Sequence, residues 1–548
     1  MTDSKSGRRV NTPCVTLYAF HLRDEIAKTP TEINANHLWE QCVALGAEDK
    51  LNIPVLRSLR TQLLCYEKDA PDGYNPGLET SDYLPLLKKS ARADEDPFLR
   101  FPVASEPNAP ELKGEIYPLR IHDTYGVDLS LRYLETVEIA QLRRFNLKGC
   151  LLPSNIQASL GQTLVIFADP TGGIDDYQAI ADACVAAFFK DANSPKPELI
   201  TAGQLFGSPI FEYDISHENP LEQCHLLVWL QGYRVWPKRR PDTLALSHQA
   251  YHYLFQLLCC RSKILYAYYQ ARLCNNQARR LCSQLEKKVE AFGQLKAEPE
   301  NPEERTQRLE RLKEWLTEIQ QTGFKYAHRL RDMEDHKTAI AINSENYRYL
   351  LTEIRKLSLP DDDLKFLESF LNRICKQFQD QIQVDLRYLT PAQALFQQMI
   401  DTIRGIVEIE AEEQAQERED YEKERDRNLQ TTIAIVGVGV GFTGLTAASF
   451  PYLIPPDPKT TPIRLQPPFS SGSLHPFISV LLLSLVFGLV GAGIAKVVTM
   501  LIPPRSDKRA KLKGNADQKL LNSASTPTVE PVTGVPQKVE FPAQPPRN

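Results

Sequence analysis

The spacing of hydrophobic residues changes character along the chain, and each change marks a boundary. Up to about residue 240, short apolar runs are separated by polar links. The runs Cys14–His21, Glu115–Ile121, Thr163–Phe167, Pro209–Ile215 and His225–Leu230 predict strands. Ala35–Leu45 and Tyr177–Lys190 predict helices, the second following a turn that starts at Asp169-Pro170-Thr171-Gly172-Gly173. Strands alternating with helices predict an α/β domain over residues 1–240. Segment 68–112, rich in Pro, Asp and Glu, reads as surface loops.

From 241 to 390 the period becomes three to four, the mark of helical hairpins and coiled-coil segments. Residues 242–297 keep a seam through Ala271, Cys274, Ala278, Leu281 and Leu285. Residues 303–358 carry Leu309, Leu312, Leu316 and Ile319 in the same way. After Leu359-Pro360-Asp361-Asp362 the pattern resumes with Leu364, Leu367, Leu371, Ile374 and Phe378. Thr390-Pro391, with Gln393 three residues after the threonine, predicts the start of a fresh helix and a stalk over 391–430. That seam opens apolar with Ala392, Phe396, Met399, Ile403 and Ile406. It then turns acidic through Glu410, Glu413, Glu417, Asp420 and Glu424.

No breaker separates this stalk from the apolar run 431–454, and a second apolar run covers 476–502. Each is longer than the roughly 20 residues that span a hydrocarbon core, so two membrane helices are expected. Lys and Arg cluster before the first run and after the second. Both termini are therefore expected in the cytoplasm and the loop 455–475 outside. The tail 503–548 is basic and then rich in Pro, Ser and Thr, a composition that predicts disorder. Gly437 and Gly441 suit close helix packing, and Gly437, Gly441, Thr443 and Thr446 are the expected pore-lining set. The predicted fold class is an α+β membrane protein: an N-terminal α/β cytosolic domain, a long helical coiled-coil stalk and two C-terminal transmembrane helices.

Charge sharpens the stalk. Segment 408–427 holds ten acids against four bases. In a parallel homo-oligomer its seam would stack carboxylate rings, and hard divalent cations favour such oxygen ligands. A solvated helix face explains the same acids. The whole chain, at 548 residues and net −5, carries no basic excess that would point to nucleic acid. Eleven cysteines without a CxxC pair form neither a disulfide framework nor a zinc site, and fit a reducing compartment. No phosphate loop, nucleophile elbow or HExxH occurs, so no enzyme and no organic cofactor is expected. His248 and His252 stand one turn apart without a carboxylate at a ligating offset, which favours packing over metal.

The order of parts over most of residues 1–505 resembles the CorA-type divalent cation channels. The resemblance implies a cytosolic α/β domain, a stalk helix running into the first span, cytosolic termini and assembly as a pentamer. It implies cation transport regulated by the cytosolic domain. The family's Gly-Met-Asn signature is absent, and Ala448-Ser449-Phe450-Pro451-Tyr452 occupies its place. Two other expectations stand beside it. One is a signalling or defence-type effector, whose cytosolic domain answers a protein or small-molecule signal and whose spans permeabilise the bilayer. The other is a coiled-coil membrane tether.

Overall fold

Strand β1 (Arg9–Leu22) buries alternate residues Val15, Leu17 and Ala19, as a pleated strand facing a core must. In this computed structural model the described residues are 8–453, apart from 24–34, 68–72, 93–96, 104–109, 173–175, 218, 233–241 and 295–301, with five isolated positions between 486 and 497. The remaining strands are β2 (Tyr83–Pro85), β3 (Leu99–Val103), β4 (Leu112–Ile121), β5 (Thr124–Tyr133), β6 (Thr136–Glu138), β7 (Gly161–Pro170), β8 (Glu198–Leu205), β9 (Ser208–Ile215) and β10 (Cys224–Leu230). They form one sheet in the order β2-β4-β5-β1-β7-β10-β9-β8, with β3 on β4 and β6 on β1.

Among the described strands only β10 and β7 run parallel; the other pairings are antiparallel. This corrects the predicted α/β head. Consecutive strands pair as antiparallel hairpins at β3–β4, β4–β5, β8–β9 and β9–β10, and parallel pairing is confined to β7 and β10 among the described strands, so the sheet belongs to an α+β arrangement. The β8–β9 hairpin turns on Phe206 (φ +49°) and Gly207 (φ +75°), the two left-handed residues that a tight two-residue hairpin demands.

The short helices are α1 (His37–Leu45), α2 (Pro54–Arg57), α3 (Leu59–Gln62), α4 (Pro153–Ile156) and α5 (Tyr177–Phe188). The long ones are α6 (Thr243–Gly293) and α7 (Pro302–Leu357); α8 (Lys365–Ser369) then leads through a π-helical turn (Phe370–Cys375) into α9 (Lys376–Leu453). Helices α5 and α6 start where sequence chemistry asks them to: Asp176 accepts from the Ala179 N–H, and Asp242 accepts from the Ala245 N–H.

The sheet is covered on both faces. Leu164, Ile166 and Ala168 of β7 and Leu226, Val228 and Leu230 of β10 share a core with Trp39 of α1 and Phe188 of α5. Alternate residues Val165, Phe167, Leu227 and Trp229 face the core of α6, with Leu257 and Ile264. Strand β10 is therefore buried at every position.

Helices α6, α7 and the first part of α9 share one core. In α7 the fully buried residues Leu312, Ile319, Tyr326, Met333, Ile340, Tyr347 and Ile354 recur every seven positions, a coiled-coil repeat. From the last residue of the π turn into α9 the same interval links Cys375, Ile382, Leu389, Phe396 and Ile403. The predicted seam ran through Ile374 and Phe378; the extra residue of the π turn slips it to Cys375. The fresh helix expected at Thr390-Pro391 does not begin there, because α9 is continuous across the proline. Thr390 Oγ1 donates to the Leu386 carbonyl at 2.8 Å, and Tyr326 Oη donates to the Leu389 carbonyl at 2.6 Å.

The two transmembrane helices of the predicted fold class are also corrected. Among the described residues no helix is long and apolar enough to cross a membrane. Helix α9 is charged and exposed from Glu417 to Arg427. The observed fold is an N-terminal β-sheet domain followed by long helices consistent with a coiled coil. The predicted loop 455–475 and tail 503–548 lie outside the described residues, as does the second apolar run 476–502 apart from isolated helical positions. The chain divides into two compact units, Met1–Glu410 and Ala411–Asn548.

Candidate functional site

Within the first unit, the turn between α7 and α8 is fastened to the β8–β9 hairpin. Asp362 accepts from the N–H groups of Phe206 (2.8 Å), Gly207 (2.7 Å) and Leu359 (2.8 Å). Gln204 and Asp363 exchange two backbone hydrogen bonds of 3.0 Å. Gly203 permits the approach, since a Cβ there would lie 2.6 Å from the Asp363 carbonyl oxygen. This joint holds α8 and the π turn opposite β8, β9 and α6. A cavity of about 730 Å³ opens between them, a size that suits a small-molecule ligand.

Aromatic, cationic and anionic side chains are among those that line it. Phe366, Phe370 and Phe378 come from α8, the π turn and α9, and Tyr268 and Tyr269 from α6. Tyr268 and Phe378 stack with ring centres 3.7 Å apart and planes 7° off parallel. The cations are Arg261, Arg272 and Arg373; the anions are Glu212 and Asp214.

The floor is a buried polar chain. His225 Nε2 lies 3.0 Å from Glu212 Oε1, and His225 Nδ1 lies 2.9 Å from Thr163 Oγ1. The Arg261 guanidinium stands 3.9 Å from the same Glu212 oxygen and 5.1 Å from the centre of the Phe370 ring. Burial, helped by Arg261, holds the His225 pKa below its ordinary value although Glu212 pulls the other way. The imidazole is therefore neutral, donating from Nε2 to Glu212 and accepting from Thr163. Burial opposes the charge on Glu212, but the His225 hydrogen bond and the Arg261 charge hold its carboxyl below the usual range. Thr163 and His225 are buried in the sheet and do not line the cavity, so this hydroxyl–imidazole–carboxylate chain orients Glu212 and offers no exposed nucleophile.

The other charged groups differ in how far they are already engaged. Asp385, itself buried, takes Arg272 and also lies 3.8 Å from Arg279. Asp214 Oδ2 accepts from Gln223 Nε2 at 2.6 Å, while the buried Asp214 Oδ1 has no hydrogen-bond partner among the described residues. Arg373 is exposed and makes no ion pair among the described residues.

The expected cation-binding acids are placed elsewhere. Glu410 fills the next seven-residue slot after Ile403, where Arg308 Nη1 meets its Oε1 at 3.2 Å. Glu413, Glu417, Asp420 and Glu424 lie exposed along α9 in the second unit. The described residues contain no group of three or more His, Cys, Asp and Glu side chains placed to hold a metal ion. Gly437 is exposed on α9; Gly441, Thr443 and Thr446 lie on the same helix, their side chains outside the described set. His252 meets the Tyr83 hydroxyl at 3.2 Å through Nδ1, a packing contact between α6 and β2.

Sequence reasoning missed the cavity because its walls come from β8–β9, α6 and 366–378, which no local pattern connects. One signal was available: Arg261 directly follows the largely apolar stretch Tyr253–Cys260 on the same helix, where a charge needs a reason. The chain matches no family model, no curated protein and no solved structure.

Proposed function

We propose that the protein is a ligand sensor, in which a small molecule enters the cavity between the β-sheet domain and the helices and alters α9. The observation that carries this reading is the π turn. Phe370, Arg373 and Ile374 line the cavity, and the same turn continues unbroken into α9. A π turn holds one residue more than an α turn needs and is often found at functional sites. Moving or expelling that extra residue would rotate the following helix by roughly 100°, the angle per residue of an α-helix. The test is a thermal-shift screen of a metabolite library on the full chain and on Ser369→Trp, which places an indole at an exposed lining position. Compounds that stabilise the parent and not the variant, and that change hydrogen exchange over 376–410, support the reading. A screen with no such compound overturns it.

A second reading, assembly of several copies through α9, has its own observation. Tyr388, Leu395 and Ile409 are exposed at multiples of seven residues, with Val384 beside them, outside the seam that packs on α7. An exposed heptad stripe of this kind suits a second copy of the same helix. Light scattering coupled to size exclusion tests it: Leu395→Glu with Ile409→Glu should lower the mass, and a monomeric parent would exclude it.

A further inference from the structure

We infer that the ligand of the cavity is a free mononucleotide; this rests on the reading that the cavity binds a small molecule and names its chemical class. Three features that line one space of about 730 Å³ ask for three different parts of a ligand. Asp214 is the first. Gln223 fixes its Oδ2, which leaves Oδ1 as a buried acceptor with no donor among the described residues. A buried acceptor left open is costly, so the missing partner is an N–H or O–H group. Arg373 is the second: an exposed guanidinium with no ion pair among the described residues, whose fork fits a phosphate in bidentate fashion. Arg261 and Arg272 are already engaged with Glu212 and Asp385, so Arg373 is the cation available to an anionic ligand.

The aromatic wall is the third. Tyr268 and Phe378 already lie face to face, and Tyr269, Phe366 and Phe370 line the same space. Such surfaces accept planar rings by stacking with little regard to which ring it is. An anion alone would leave Asp214 unanswered and meet the negative charge of Glu212. An amino acid would supply the donor and the anion but leave the aromatic wall unused. A nucleobase with an exocyclic amine or ring N–H, joined through ribose to a phosphate, meets all three demands. It also falls within the size range of such cavities.

Calorimetry on the full chain with AMP, GMP, CMP, UMP, adenosine, guanosine and inorganic phosphate tests the assignment. A 5′-monophosphate is expected to bind at least about tenfold more tightly than its nucleoside, because a charge-assisted contact is worth about that factor. Arg373→Ala, a change on the surface, should erase that difference while leaving nucleoside affinity intact. Asp214→Ala should weaken nucleotide and nucleoside alike. Equal affinity for nucleotide and nucleoside, phosphate binding as tightly as nucleotide, or a single-stranded oligonucleotide binding more tightly than any mononucleotide would each overturn the inference. If none of the nucleotides binds while library compounds are lost in Ser369→Trp, the nucleotide assignment falls and the sensor reading stands. If nothing binds at all, both fall.

Discussion

Asp362 accepts a hydrogen bond of 2.7 Å from the backbone N–H of Gly207, and this contact ties the α7–α8 turn to the β8–β9 hairpin. The same carboxylate takes the N–H groups of Phe206 and Leu359. Three backbone donors on one half-buried anion make the joint sensitive to a single change. Asp362→Ala is expected to destabilise the protein by about 2 kcal/mol, as the donors lose a charged acceptor. Asp362→Asn should cost less, because one oxygen still accepts. Urea unfolding of the three proteins checks the order, and an Asp362→Ala protein as stable as the parent would remove the joint from the account.

The neighbouring Gly203 is constrained by space rather than by its own dihedral angles. A Cβ at that position would lie 2.6 Å from the Asp363 carbonyl oxygen and 2.6 Å from Cδ1 of Phe366. The oxygen is backbone and cannot turn aside. Gly203→Ala is therefore expected to push α8 away from β8 and cost about 1–3 kcal/mol, in the range of other overpacking changes. The check is hydrogen exchange at the Gln204 and Asp363 amides, which should accelerate. Unchanged protection there would show that the hairpin adapts.

Asp128 on β5 supplies a pH dependence with a definite sign. It is buried against α6, where its Oδ2 accepts from the Tyr251 hydroxyl at 2.8 Å and its Oδ1 from Ser130 at 3.3 Å. Burial outweighs those bonds and pushes the carboxyl up to about 7. The folded protein therefore holds this proton more tightly than the unfolded chain. The stability it contributes is fully present below the ordinary carboxyl pKa of about 4 and is lost as pH rises toward 7, a change of order 4 kcal/mol. Asp128→Asn should flatten that slope and be the more stable protein at pH 8. Chemical denaturation at pH 5, 6, 7 and 8 reads it, and parallel curves for the two proteins would refute it.

How much of this was legible in the sequence depends on the kind of signal each part carries. The seam of α7 was readable at Leu309, Leu312 and Ile319, and that of α9 at Phe396, Met399 and Ile403, where apolar residues keep regular spacing. Strands β4, β7, β9 and β10 were readable because they are apolar runs. Strand β5 was not, since Gly126 and Asp128 break its run, although both are tolerated there. Gly126 lets Phe255 of α6 approach, and Asp128 meets Tyr251. The π turn was invisible because one additional residue leaves the local 3-4 spacing plausible in either register. The apolar composition of 431–454 was read correctly as composition. Among the described residues, though, no helix is long and apolar enough to cross a membrane, so composition alone did not decide the span.

The acidic column of α9 begins with a residue whose role the structure redefines. Glu410 continues the interval set by Ile382, Leu389, Phe396 and Ile403, so the bundle places a charge where four apolar residues precede it. Arg308 of α7 answers it at 3.2 Å, both side chains being largely buried, and Glu410 Oε2 is left without a hydrogen bond. Two charges withdrawn from water recover much of their desolvation cost through pairing with each other. Removing one partner is then worse than removing both. Glu410→Leu and Arg308→Leu are each expected to cost about 3 kcal/mol. The double substitution should recover most of that loss, because two leucines extend the seam and strand no charge. A double-mutant cycle by chemical denaturation decides the matter: a coupling energy near zero would mean that the pair is held in place by the bundle and contributes nothing to it.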